Sequence, residues 1–98
     1  MTERVIQHQI VTLLRAAGWQ VCVISQPTAA RAQLVGLPDL IAFKHGATLL
    51  VEVKSVRGKL RPAQSVFRAR VEGHTGPNLR YCLARNVDDV LAELAAIR

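Results

Sequence analysis

The chain has 98 residues, half of them apolar, with thirteen Lys and Arg against seven Asp and Glu for a net charge of +6. That length allows one domain, 1–98, with one core, and it lacks both the long apolar run of a membrane helix and a signal-peptide core. An intracellular protein is expected, cytoplasmic or associated with a host cell's nucleoid, and the basic balance favours a polyanion partner over a membrane.

Residues 3–17 place Ile6, Ile10, Leu13, Leu14 and Ala17 at helical spacing, with Thr2 as a cap and Gly18 as a stop. Glu3 falls on the apolar side of this helix, about 20° from Ile10. A first-turn acid also suits the helix dipole, so a site role and a dipole role both stand. Residues 19–25 alternate and are rich in Val and Ile, which predicts a strand. Residues 26–37 form an irregular connection, longer than the usual four to six or so. Arg31 and Gln33 on it are candidate polyanion contacts, and a plain surface excursion fits equally well.

Residues 39–43 and 47–54 read as the arms of a hairpin, with Gly46 free to take positive φ in the turn. Ser55 to Leu60 is a polar turn. Pro62 suits the first position of a helix running to about Glu72 and stopping at Gly73. Gln64, Phe67 and Val71 share one face of it. Residues 73–78 are a loop and 79–84 a strand. Asn86, with Asp89 three residues on, opens a last helix through Ile97. Its stripe of Val87, Val90, Leu91 and Leu94 is core. The order αβββαβα predicts an α/β fold with a small mixed β-sheet flanked by helices. Cys22 and Cys82 lack metal-ligand spacing and are expected to be reduced core residues. His8, His45 and His74 are scattered and form no ligand pair.

The chemistry concentrates in the hairpin. Asp39 opens one apolar run, and Glu52 and Lys54 close the next. Charged groups in apolar strands are costly without partners. Residues i and i+2 of a strand share a face, so Glu52 and Lys54 point together while Leu49, Val51 and Val53 point into the core. Pairing of the arms lets Asp39 meet Glu52 across the ladder. Two adjacent carboxylates repel, and a divalent cation removes that repulsion. Two carboxylates and a backbone carbonyl suit Mg²⁺ or Mn²⁺, which favour oxygen donors and keep several waters. Lys54 would place positive charge where a phosphoryl transition state gathers negative charge. This is the equipment of a metal-dependent phosphodiesterase. A solvated strand face with a weak ion pair is the plain alternative for Glu-x-Lys alone.

Pro38-Asp39 followed by Glu52-x-Lys54 resembles the PD-(D/E)xK nuclease superfamily. Gly36-Leu37-Pro38-Asp39-Leu40-Ile41-Ala42, Val51-Glu52-Val53-Lys54-Ser55 and Gly58-Lys59-Leu60-Arg61-Pro62-Ala63-Gln64 resemble the virus-type replication-repair nucleases (VRR-NUC), and the 39–54 section also resembles archaeal Holliday-junction resolvases. The resemblance implies a restriction-endonuclease-like fold and candidate catalytic residues Glu3, Asp39, Glu52, Lys54 and Gln64. Asp39, Glu52, the Val53 carbonyl and Glu3 would hold the cation, Glu3 directly or through water. It further implies a homodimer acting on branched DNA, such as Holliday junctions or forks. Arg31, Arg57, Lys59, Arg61 and Arg68 are candidate DNA contacts, and Val35, Val56 and Leu60 are candidates for the dimer contact. A non-catalytic nucleic-acid-binding module on the same fold is the alternative. A sequence-reading restriction enzyme ranks last, since so short a chain has little room for a recognition domain.

Overall fold

The computed structural model describes residues 1–24 and 36–97. Arg31, Gln33 and Val35 lie outside these. The elements are α1 (Glu3–Ala16), β1 (Gln20–Val23), β2 (Leu40–Lys44), β3 (Ala47–Val53), α2 (Pro62–Glu72), β4 (Leu79–Ala84) and α3 (Val87–Ala96). The Thr2 hydroxyl caps α1 by accepting from Val5 N at 3.2 Å. Gly18, at φ +89°, turns the chain out of the helix, a conformation that suits a residue without Cβ. The described part of the first strand is shorter than the sequence pattern: Trp19 precedes it, yet is buried.

The sheet has the order β1-β2-β3-β4. β1, β2 and β3 pair antiparallel, and β4 joins β3 in parallel. Tight turns can make antiparallel neighbours, but a parallel one needs a crossover, and α2 is that crossover. Leu40 faces Val51, Ala42 faces Leu49 and Val21 faces Ala42. Strand alternation therefore gathers Val21, Leu40, Ala42, Leu49, Val51, Val53, Cys82 and Ala84 on one face. Ile6, Ile10 and Leu14 of α1 and Val90 of α3 close over it in a single buried cluster.

The other face carries Ile41, Leu50, Glu52 and Tyr81. α2 lies over its β4 side, with the Phe67 ring 6.5 Å from that of Tyr81. This corrects the expectation for Cys22. It stands on β1 beside Ile41, away from α1 and α3, and it is exposed. Cys82 is buried as expected; both thiols are free. Burial pushes the Cys82 thiol up to about 12, with help from the Glu93 and Asp89 carboxylates.

Candidate active site

Asp39 enters the sheet through Gly36-Leu37-Pro38. Gly36 sits at φ +89°, and a Cβ there would stand 2.5 Å from the Ala63 carbonyl oxygen. Only glycine allows this approach, which brings the start of β2 against the first turn of α2. Asp39 is then fixed twice. Its backbone carbonyl accepts from Ile24 N at 2.7 Å, and its Oδ2 accepts from Val53 N at 2.8 Å. The second bond sets the Asp39 carboxylate against the backbone between Glu52 and Lys54, extending the ladder that pairs Leu40 with Val51.

Glu52 and Lys54 share a face as their spacing requires. Glu52 is 1% exposed and Lys54 8%. The ammonium lies 3.8 Å from Glu52 Oε1, an ion pair longer than a hydrogen bond. Lys54 N donates to Ala84 O at 3.0 Å, so the backbone that carries the ammonium is tied to β4. Its neighbour β3 is buried at every position except Thr48. On such a strand a Glu followed by a Lys is an exception to apolar filling, and exceptions of this kind mark sites.

Glu3 and Gln64 take positions that the sequence did not define. Among the described residues, no three of His, Cys, Asp or Glu stand together as a cation cage. Glu3 is accordingly not gathered with Asp39 and Glu52. Its Oε1 accepts from Ser55 N at 3.3 Å, beside the Lys54 backbone. Gln64 is buried in the first turn of α2, and its Oε1 accepts from Arg61 N at 2.8 Å. This is half of a capping box, and the other half cannot form, since a guanidinium has no acceptor.

Arg85 was missed by the sequence reading. Its Nη1 donates to the carbonyls of Ser55, Val56 and Gly58 at 2.6, 3.1 and 2.7 Å. The turn after Lys54 is thus held by Glu3 from one end of the chain and Arg85 from the other. Arg57 and Lys59 project from that turn and are exposed, as is Arg61 at the head of α2. Val56, at 80% exposure, is the most open of the described dimer candidates. Arg68 is less free than expected: its Nε donates to Glu72 at 2.7 Å, and its guanidinium stands 5.6 Å from the Tyr81 ring centre. Burial, then the Glu52 charge, push the Tyr81 phenol up to about 12.

The donors suit a small hard cation. Asp39, just before β2, and the deeply buried Glu52 on β3 would offer carboxylate oxygens, and Mg²⁺ or Mn²⁺ is satisfied by few protein oxygens and its own waters. An α/β sheet with an Asp on one hairpin arm, Glu-x-Lys on the other and basic residues around them defines a nuclease of the PD-(D/E)xK superfamily. The chain belongs to the archaeal Holliday junction resolvase (Hjc) family, whose model matches residues 3–73. Members of that family are metal-dependent, structure-selective endonucleases that resolve four-way DNA junctions, and this activity is the function of the chain. No curated protein and no solved structure matches the chain. Among the described residues, no helix is long and apolar enough to cross a membrane.

Proposed function

We propose that the chain, as one nuclease domain over 1–98, hydrolyses phosphodiester bonds of branched DNA inside the cell with Mg²⁺ or Mn²⁺, as a homodimer whose two sites cut two strands. The observation that carries this reading is the meeting of Asp39, Glu52 and Lys54 at one end of a strand whose other buried side chains are all apolar. Asp39, Glu52 and the Val53 carbonyl would hold the cation, with Glu3 completing its surroundings directly or through water. The chemistry supplied there on binding is polarisation of the phosphate and charge neutralisation at the leaving oxygen.

The remaining work falls to protein groups. Lys54 donates to the attacking water or to a phosphate oxygen and sets its positive charge against the charge that grows in the transition state. Gln64, with Oε1 engaged at Arg61 N, offers its amide N–H to a water or phosphate oxygen. Arg57, Lys59, Arg61 and Arg68, with Arg31, supply backbone contacts that fix register without reading sequence. Two-fold symmetry matches that of a four-way junction. The residues around Gly36–Ala42 and Gly58–Gln64 favour a narrower kinship with the virus-type replication-repair nucleases within the superfamily.

The test is cleavage of a labelled four-way junction and its matched linear duplex with Mn²⁺, Mg²⁺ or EDTA, wild type beside Glu52→Ala. Paired, metal-dependent nicks on the junction alone, lost in the variant, are the expected result. Equal cutting of both substrates would remove the junction preference. Binding without cutting under every metal would leave only a nucleic-acid-binding module.

A further inference from the structure

Tyr81 lies beyond the stretch that matches the family, and the proposed chemistry does not use it. It stands on β4 beside Leu50, on the face that carries Glu52 and Lys54. It is 7% exposed, and its hydroxyl oxygen is buried with no hydrogen-bond partner among the described residues. The ring is held by packing, with Phe67 on α2 on one side and the Arg68 guanidinium near its centre. Phenylalanine would keep those contacts and avoid burying an unpaired hydroxyl, which costs stability. The oxygen is therefore unexplained by the fold alone. The carboxylates of Glu52 and Asp39 are both close enough for their charges to act on the phenol.

We infer that Tyr81 is a positioning residue of the acid pair: with a divalent cation held, its O–H donates to a carboxylate oxygen of Glu52 or Asp39, directly or through one water, and fixes the orientation in which that carboxylate meets the cation. Metal-binding carboxylates need such outer hydrogen bonds, and their loss weakens metal binding without removing a ligand. The inference rests on the assignment of Asp39 and Glu52 as cation ligands. The neighbouring Arg68 and Glu72 do not supply the missing bond, since Arg68 donates to Glu72, and Lys54 is paired with Glu52 Oε1.

The experiment compares wild type, Tyr81→Phe and Glu52→Ala by electron paramagnetic resonance titration with Mn²⁺ and by thermal melting in EDTA. Tyr81→Phe should melt in EDTA at or above the wild-type temperature, since it loses an unpaired buried oxygen. It should bind Mn²⁺ about tenfold more weakly, and junction cleavage should need correspondingly more Mn²⁺ to reach half of its maximal rate. Unchanged Mn²⁺ affinity in Tyr81→Phe, with wild-type binding strong and Glu52→Ala binding lost, would overturn the part given to Tyr81 alone. A melting temperature several degrees lower in EDTA would assign the hydroxyl to the fold and overturn it too. Equal Mn²⁺ binding by wild type and Glu52→Ala would instead remove the ligand assignment beneath it.

Discussion

The two faces of the sheet are built from the same strands and obey different rules. Toward α1 and α3, Leu40, Ala42, Leu49, Val51 and Val53 form an apolar, sealed row, which ends at Lys44, whose ammonium donates to the Ala17 carbonyl at the end of α1. Toward α2, the same strands carry Asp39, Glu52 and Lys54, two of them almost as deeply buried. Burial alone therefore does not distinguish a core from a site. The difference is that the first face is closed by apolar packing, whereas the second buries the charged groups to which cation and phosphate binding are assigned in the proposed function. Stability should depend on the first face, and cleavage on the second.

The sharpest separation should come from Lys54→Ala. Cleavage is expected to fall by about 100-fold or more, while junction binding stays within a few-fold and the fold remains intact by circular dichroism. Wild-type cleavage by this variant would break the division between faces. Leu49→Ala is the counterpart on the sealed face. It should cost about 2–5 kcal/mol in urea unfolding and leave the activity of the folded fraction in place.

Arg85→Ala probes the seam between the faces. Loss of a charged donor shared by three carbonyls should cost about 1.5–3 kcal/mol. Hydrogen exchange should show the 55–58 turn losing protection ahead of the core. Alkaline pH tests both faces together. Tyr81 and Cys82 lie on opposite faces, and both hold their protons up to about 12, above ordinary values of 10.0 and 9.0. The unfolded chain releases those protons first. Stability is thus fully present below the ordinary values and declines as pH rises toward 12. Melting curves across that range should show the decline, with Tyr81→Phe losing less than wild type. The smallest effect belongs to Glu72→Gln on the outer side of α2. It breaks an exposed i,i+4 pair and should change stability by no more than about 0.5 kcal/mol.

Much of this organisation was readable from local signals. Pro62 and Glu72 bound α2 as the sequence indicated, Leu79 and Ala84 bound β4, and Asn86 accepts from Asp89 N at 3.0 Å as a cap should. The alternation that separates Val51 and Val53 from Glu52 and Lys54 is local as well. What was not readable depends on which strands become neighbours. Arg85 and Tyr81 matter because β4 lies parallel to β3, a pairing that no short spacing encodes. Cys22 was misplaced for the same reason: its strand forms an edge of the sheet, and its side faces away from the helices that bury the core. Glu3 was expected at the cation, but its bond runs to the Ser55 backbone N–H of the turn, a partner that sequence patterns do not indicate.

The parallel pairing of β3 with β4 also fixes the order in which danger can arise during synthesis. A chain emerging from the ribosome as far as β3 already contains Asp39, Glu52 and Lys54. It still lacks the strand that receives the Lys54 N–H and the arginine that clamps the following turn. Those contacts close only after the α2 crossover has been made, and distant pairings of this kind form late. Until β4 has been laid down, the chain therefore carries Asp39, Glu52 and Lys54 without the contacts that fix the end of β3 and the turn after it.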